Sequence, residues 1–264
     1  MQLSQQLING RPQWLVEGRL LEFEGGLSHL LSLAAGEMIQ LLSSRAISAE
    51  TGTPLPPIEP LQEVWAAGVT YLRSRQEREA ESTVADVYAT VYEADRPEIF
   101  FKAPGYRVVG SGELIRIRTD STWNVPEPEL TLVINRHAEI VGYTAGNDVS
   151  SRSIEGENPL YLPQAKCYDG ACALGPSIVV TSPQAMRELP IECEVGDFHG
   201  TASTAQMRRS FEELVSYLFR ETSFPNGVFL MTGTGIVPSP DFTLKSGDSV
   251  RIRVGELELV NTVA

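Results

Sequence analysis

The fold of this 264-residue chain is decided by the stretch from Pro126 to Pro176. The stretch opens with PEPELTLVI (126–134), continues through GNDVSSR (146–152) and reaches YLPQAK at 161–166. The opening becomes steadily more apolar and β-branched, which predicts a strand. A second apolar run, EIVGYT (139–144), follows closely. The two runs together predict a β-hairpin.

Three carboxylates mark this predicted hairpin. Alternate side chains of a strand share a face, so Glu127 and Glu129 point the same way, roughly 7 Å apart along the backbone. Asp148 follows the second apolar run, and the hairpin would bring it beside them. Carboxylate oxygens are the usual ligands of hard divalent cations, so the pattern is compatible with a metal site. On spacing alone, a solvated strand face, with Asp148 paired to Arg152, is the more common explanation of such a pattern.

Several separated motifs, in the right order, resemble the fumarylacetoacetate hydrolase family. That family carries Glu-x-Glu-Leu, then an Asp before Ser/Thr-x-Arg, then a Lys before Leu-Gly-Pro. The matching residues here are Glu127-Pro128-Glu129-Leu130, Asp148 with Ser150 and Arg152, and Lys166 with Leu174-Gly175-Pro176. The run SIEGENPLYLPQ (153–164) is most similar to the family branch that dehydrates 2-keto-3-deoxy-pentonates. The resemblance extends over roughly residues 62–254.

The resemblance implies an α+β fold that is mostly β, with a mixed β-sheet rolled on itself. We expect a small N-terminal α+β module at residues 1–60 and a catalytic domain at 61–264. Apolar residues between 27 and 43 predict one helix of the N-terminal module, and the proline-rich segment 53–60 predicts an extended connector. A further helix is predicted from Ser203 to Glu221, capped by Ser203 or Thr204.

The resemblance also implies a ligand set. Glu127, Glu129 and Asp148 are expected to bind Mg²⁺, with Mn²⁺ or Ca²⁺ as alternatives, and Lys166 to add positive charge where an oxyanion develops. The strand GVFLM (227–231) runs into the turn TGTG (232–235). In the family this turn lines the site and helps to hold the substrate carboxylate. The predicted substrate-binding residues are therefore Thr234, Gly233, Arg152, Gln164 and Ser74.

One departure from the family separates dehydration from hydrolysis. Hydrolytic members carry a Tyr followed closely by a His and then a Glu, and that pair activates water. Alignment on Tyr71 puts Ser74 where the His would be and keeps Glu77 as the acid. A serine is not a general base near neutral pH, whereas a histidine is. The sequence therefore favours dehydration, with Glu98 at the start of an apolar strand as the acid–base residue and Glu77 as the second candidate.

The expected activity is Mg²⁺-dependent dehydration of a 2-keto-3-deoxy sugar acid through an enolate. For a pentonate, such as the arabinonate or xylonate, the product would be 2,5-dioxopentanoate. One alternative is a C–C hydrolase or decarboxylase of a 2,4-diketo acid. A second alternative is a catalytically silent binding protein, which the fold by itself does not exclude. The intact set of Glu127, Glu129, Asp148 and Lys166 favours an enzyme.

Composition limits the partners. The chain has 21 basic and 34 acidic residues, a net charge of -13, which disfavours nucleic acid and anionic membranes. An anionic small-molecule substrate then needs local positive charge. No two of the three histidines are spaced like zinc ligands.

The sequence also predicts location and assembly. The three cysteines form no CxxC motif, no signal peptide is evident, and residues 27–42 are too short and too polar to span a bilayer. We therefore expect a cytoplasmic protein, and the resemblance implies a homodimer or homotetramer. The charged segment from Leu72 to Ala94 is predicted to be a lid over the site.

Overall fold

The structure is a computed structural model that describes residues 1–23, 25–72 and 90–264. Its strands, in chain order, are β1 (Gln2–Ile8), β2 (Arg11–Val16), β3 (Arg19–Leu21), β4 (Ala46–Ala49), β5 (Thr53–Leu55), β6 (Glu63–Gly68), β7 (Glu98–Pro104), β8 (Leu114–Ile115), β9 (Asn124–Val125), β10 (Pro128–Ile134), β11 (Ile140–Asp148), β12 (Ser150–Ser151), β13 (Cys172–Val180), β14 (Pro190–Val195), β15 (Phe198–Ser203), β16 (Val228–Met231), β17 (Ser249–Val254) and β18 (Leu257–Val263). The labelled helices are α1 (Leu27–Leu30), α2 (Ala35–Ser44), α3 (Arg152–Glu157), α4 (Leu162–Lys166) and α5 (Phe211–Leu218).

Two mixed sheets form the body of the molecule. The larger has the order β4-β3-β2-β1-β13-β11-β10-β16-β6-β7, with β5 also paired to β1. The smaller has the order β15-β14-β17-β18-β8, and β9 pairs with β12 in a short ribbon. Most pairs are antiparallel, but β16 runs parallel to β6 and β18 parallel to β8. The predicted mixed, mostly β architecture is confirmed.

The predicted hairpin is β10 and β11. The strands pair antiparallel, with Glu129 opposite Gly146, and the Asp148 N–H donates to the Glu127 carbonyl at 3.0 Å. Side chains alternate between two faces along β10, because Leu130 and Leu132 join one hydrophobic cluster and Val133 joins the other. A strand buried on both faces needs a nearly continuous apolar sequence, which explains the composition of this run.

The two clusters lie on opposite faces of the larger sheet. The first fills the space between the two sheets and includes the apolar face of α5. The second is covered by the N-terminal strands and helices, with Trp14, Leu30 and Met38 packed with Phe229 of β16. The carboxylates of the hairpin therefore lie at the end of a strand whose two faces are both in the core.

Residues 1–60 continue the larger sheet. Strand β1 pairs antiparallel with β13, with Leu3 opposite Ile178. The helices of this segment share the second cluster with the central strands. The division of the chain near residue 60 stays a prediction, and the segment has a large common core with the rest.

The single helix predicted at 27–43 is wrong, because α1 and α2 are separate helices. Loop carbonyls between them are used by tertiary contacts: Leu31 O accepts from the Arg136 N–H at 2.8 Å, and Leu33 O from Asn135 Nδ2 at 2.9 Å. These bonds replace the helical ones that a continuous helix needs.

No helix in the described residues is long and apolar enough to cross a bilayer. Cytoplasmic location and homo-oligomeric assembly stay predictions.

The helix predicted from Ser203 to Glu221 is shorter than expected. Ser203 ends β15, opposite Pro190, and α5 begins at Phe211 with Ser210 as its cap, accepting from the Glu213 N–H at 3.1 Å. The buried side of α5 faces the core through Phe211, Leu214, Val215 and Leu218. Pairing of β15 with β14 overrides local helix propensity at the N-terminal end. Most of the predicted lid, residues 73–89, lies outside the described residues.

Candidate active site

The hairpin brings three buried carboxylates together. Carboxylate oxygens of Glu127, Glu129 and Asp148 lie within 4.8 Å of one another. The three residues are only 4%, 1% and 1% exposed. Glu129 faces Gly146 across the hairpin, and a Cβ on Gly146 would lie 2.3 Å from Thr131 Oγ1, so this position has no room for a larger residue. The local fold thus gathers acidic oxygens at the end of β10 and β11.

Lys166 lies between two of these carboxylates. It is the last residue of α4, and its Nζ donates to Glu127 Oε2 at 2.9 Å, Asp148 Oδ2 at 2.8 Å and Ser150 Oγ at 2.6 Å. The side chain is almost fully buried, so these contacts replace the hydration that the ammonium has lost. The geometry thus brings Lys166 beside two of the predicted metal ligands, and its predicted role at a developing oxyanion stays a prediction.

Lys102 is a second buried lysine, and the sequence analysis did not identify it. Its Nζ forms an ion pair with Asp148 Oδ1 and donates to the Lys166 carbonyl at 2.6 Å and the Val149 carbonyl at 3.1 Å. The available signal was a single Lys inside the apolar run IFFKA of β7. An alternating strand pattern makes such a residue resemble a surface position, which is why it was missed.

Arg152 connects two acidic side chains. Its Nη2 is 3.1 Å from Glu127 Oε1, and its Nε is 3.9 Å from Glu155 Oε2. The guanidinium is buried at the start of α3. These contacts indicate that Arg152 orients Glu127, and its predicted contact with substrate stays a prediction.

The turn after β16 contacts Glu129, one of the three clustered carboxylates, through its backbone. The Gly233 N–H donates to Glu129 Oε2 at 2.5 Å. Gly233 has φ +90°, and a Cβ there would lie 2.1 Å from Thr70 Oγ1, so only glycine fits. Thr234 is buried, and its hydroxyl accepts from the Ile236 N–H at 3.1 Å. Because Glu129 already engages the Gly233 N–H, the predicted contact of this N–H with a substrate carboxylate stays a prediction.

A cavity adjoins these groups. Its lining residues are Ala67, Gly68, Val69, Glu98, Phe100, Glu127, Asp148, Glu155, Leu162, Lys166, Gly233 and Thr234. Glu98 is the first residue of β7 and pairs with Gly68 of β6. A Cβ on Gly68 would lie 2.1 Å from Glu98 Oε2, so the glycine lets this carboxylate lie against the neighbouring strand. Glu155, which the sequence analysis did not select, is the second acid of the cavity outside the predicted metal ligands.

Gln164 is not in the cavity, contrary to the prediction. Its side chain is exposed, and its carbonyl accepts from Arg118 Nη1 at 3.2 Å. The reason is helical phase: two residues along a helix differ by about 200°, so Gln164 and Lys166 point in nearly opposite directions. The other two predicted residues, Ser74 and Glu77, lie outside the described residues.

The electrostatics of the group fit a divalent cation. Five carboxylates (Glu98, Glu127, Glu129, Asp148 and Glu155) gather with three basic side chains (Lys102, Arg152 and Lys166), which leaves an excess of two negative charges when all are ionised. Burial, followed by repulsion from Asp148 and Glu127, raises the pKa of Glu129 well above its ordinary value. A hard cation among these oxygens would offset both effects, and carboxylate oxygen is the donor type that Mg²⁺ prefers.

Comparison with known proteins identifies the class. The model of the fumarylacetoacetate (FAA) hydrolase C-terminal family matches residues 63–264. The chain therefore belongs to the fumarylacetoacetate hydrolase family, as the sequence motifs indicated.

Two relatives and one solved structure are similar to this chain over most of its length. The chain is 51% identical over 202 residues to a "Probable 2-keto-3-deoxyxylonate dehydratase" of Haloferax volcanii, covering 73% of this chain and 68% of the relative. It is 45% identical over 213 residues to a "2-dehydro-3-deoxy-D-arabinonate dehydratase" of Saccharolobus solfataricus, covering 76% and 70%. The solved structure, "2-keto-3-deoxy-D-arabinonate dehydratase complexed with magnesium and 2,5-dioxopentanoate", is 34% identical, with a TM-score of 0.84 and coverage of 100% of this chain and 98% of the other.

Proposed function

We propose that this chain is a Mg²⁺-dependent dehydratase of 2-keto-3-deoxy-pentonates that forms 2,5-dioxopentanoate. The observation that supports the proposal most directly is a single cavity. Its wall contains Lys166, Glu98 and two of the three clustered carboxylates, Glu127 and Asp148. The likeness to two dehydratases, and to a solved dehydratase with magnesium and this product, supports it.

Glu127, Glu129 and Asp148 would hold the ion. When bound, Mg²⁺ supplies Lewis acidity, which polarises the keto group of a 2-keto acid and acidifies the protons at C3. Three protein groups keep the ligands in place: Lys102 holds Asp148, Arg152 holds Glu127, and the Gly233 N–H holds Glu129. Such supporting contacts fix ligand orientation and tune affinity.

Lys166 has a double role in this proposal. Its ammonium positions Glu127 and Asp148, and it also lines the cavity, where it offers positive charge to the oxygen at C2 as negative charge develops there. Thr234, also in the cavity wall, is the proposed contact for the substrate carboxylate. Together these residues fix the end of the substrate that carries C1 and C2.

Glu98 is the proposed acid–base residue for C3. It lies in the cavity wall at the start of β7, close to the backbone of Gly68. A carboxylate there removes the C3 proton as the C4 hydroxyl departs, and no activated water is needed. General acid–base catalysis of this kind contributes roughly 10²–10⁴-fold to the rate.

The direct test supplies Mg²⁺ with each of three compounds: 2-keto-3-deoxy-arabinonate, 2-keto-3-deoxy-xylonate and a 2,4-diketo acid. We expect aldehyde product from at least one pentonate and loss of that product with a chelator. In D₂O the product should carry deuterium at C3. Cleavage of the 2,4-diketo acid into two carbonyl fragments, with both pentonates untouched, would replace the dehydratase with the hydrolase.

A further inference from the structure

Glu155 is a buried acid that has no role in the reaction as proposed so far. It is 5% exposed on α3 and lines the same cavity as Glu98 and Lys166. Glu157, two residues further along the helix, is exposed. A buried carboxylate needs compensating contacts, and one of them here is the guanidinium of Arg152, whose Nε is 3.9 Å from Glu155 Oε2. Because Glu155 also lines the cavity, its carboxylate is within reach of a molecule bound there.

The chemistry of the proposed reaction needs protons moved at both ends of the substrate. In the first stage the C3–H bond breaks, its proton goes to a base, and the C4–O bond breaks as an acid gives its proton to the departing hydroxyl, forming water. A C3=C4 double bond remains beside the keto group, and C5 is still a hydroxymethyl group. In the second stage one proton leaves C5 and another leaves its oxygen, while protons arrive at C3 and C4. The electron pairs stay within the carbon chain, so no oxidant is required.

The position of Glu155 suits proton transfer at the end of the substrate that carries C4 and C5. Arg152 lies between Glu127 and Glu155, so Glu155 is separated from a proposed metal ligand by one guanidinium group. In the proposed reaction, the end of the substrate with C1 and C2 lies against Glu127, Glu129 and Asp148. The remaining carbons would then extend into the cavity, whose wall contains Glu155 and Leu162.

We propose that Glu155 is a second acid–base residue of this site, acting at the C4 hydroxyl and C5 while Glu98 acts at C3. The inference rests on the proposed dehydratase function. Protonated Glu155 donates its proton to the C4 hydroxyl as water leaves. The resulting carboxylate then takes the proton from C5, which returns Glu155 to its starting state. Glu98 exchanges its proton with solvent and then protonates C3, and solvent supplies the proton for C4 and takes the one from the C5 oxygen.

The test separates enolisation from elimination. In D₂O with Mg²⁺, 2-oxopentanoate exchanges its C3 protons but has no C4 hydroxyl to lose. Glu155→Gln should keep this exchange within about threefold of the wild type and keep Mg²⁺ affinity by calorimetry. Its dehydration of the pentonate should fall by roughly 10²–10⁴-fold. Glu98→Gln should lose both reactions, and Glu157→Gln, changed at an exposed acid of the same helix, should lose neither.

Two results would overturn the role of Glu155. Dehydration within about threefold of the wild type in Glu155→Gln would mean that the carboxylate transfers no proton. Parallel loss of Mg²⁺ affinity, exchange and dehydration would mean that Glu155 only supports Arg152 and Glu127. If Glu155→Gln does not fold by circular dichroism, Glu155→Asp keeps the charge beside Arg152 but withdraws the carboxylate by one methylene, and the same pattern is expected. A wild type that neither exchanges 2-oxopentanoate nor dehydrates either pentonate would instead refute the dehydratase function.

Discussion

Two strands of this molecule contain the same spacing of acids, and their surroundings differ. Glu127 and Glu129 lie at the start of β10, buried at the end of a hairpin. Glu192 and Glu194 lie on β14 of the smaller sheet, where a ligand atom of each is within 4.8 Å of the other and of one from His199. Spacing alone therefore makes both pairs candidates for a metal.

The difference lies in the neighbouring strand. Glu192 and Glu194 face Arg253 and Arg251 across β17, and the side chains of these four residues are 38–43% exposed. Exposed ion pairs of this kind contribute about 0–1 kcal/mol each. Glu129 faces Gly146, which offers no side chain, so its carboxylate has no cation opposite it on the paired strand; it accepts from the Gly233 N–H, and burial and repulsion from Asp148 and Glu127 outweigh the attraction of Lys166. A Glu-x-Glu pair becomes a demanding electrostatic site when its partner strand supplies no cation and water is excluded.

The largest contrast is expected between Glu129→Gln and Glu194→Gln. Glu129→Gln removes a proposed ligand, so Mg²⁺ affinity should fall by more than the roughly 10–100-fold typical of supporting residues. Because the folded protein disfavours ionised Glu129, the metal-free variant should unfold at a temperature no lower than the wild type. Calorimetric titration and thermal unfolding with and without Mg²⁺ measure both effects. Glu194→Gln should match the wild type in each, and equal losses in the two variants would remove the distinction between the two strands.

Acid–base chemistry should depend on the buried cavity alone. Glu98→Gln keeps the shape of the side chain but not its proton transfer, so kcat for pentonate dehydration should fall by roughly 10²–10⁴-fold with Mg²⁺ affinity retained. Steady-state kinetics and calorimetry on the same preparation provide the measurement. Glu192→Gln is the exposed control and should keep full kcat. An active Glu98→Gln variant would transfer the role to another group.

Removal of one buried cation should lower the free energy of unfolding, because a buried carboxylate oxygen loses its partner. Lys102→Met removes the cation at Asp148 Oδ1, while Lys166 stays at Oδ2, and losing one partner of a buried pair costs about 3–5 kcal/mol of unfolding free energy. Arg253→Met, on the exposed ladder, should leave the unfolding free energy close to that of the wild type, because solvent screens its ion pairs. Urea titrations of both variants make the comparison. A loss near 1 kcal/mol for Lys102→Met would show that water or another group compensates for Asp148.

The smallest expected effect concerns a hydroxyl. Thr234→Val removes one proposed contact to the substrate carboxylate, which is present in ground and transition states alike, so KM should rise about tenfold with kcat nearly unchanged. Thr201, which faces Glu192 across β15 and is exposed, provides the control through Thr201→Val. A tenfold loss of kcat at constant KM would give Thr234 a different role.

The sequence predicted the hairpin and its acids because both depend on short-range pattern. The apolar run of β10 distinguishes a doubly buried strand from the alternating PIECEV of β14, where every second residue is buried. Lys102 and Glu155 were missed because their roles depend on contacts with Asp148 and Arg152 that sequence spacing does not encode. Gln164 was wrongly included because the motif gives residue order but not which side of α4 faces the cavity.

The pairing of β1 with β13 limits where this protein can be truncated. The family model begins at residue 63, so residues 1–60 look like a removable addition when sequences are compared. Truncation there would convert β13 into a free edge strand and strip the cover from Val133 and Phe229 on the second face of the sheet. Exposed edges and large apolar surfaces promote aggregation. The segment that the family model matches is therefore smaller than the segment that we expect must be expressed to obtain a folded protein.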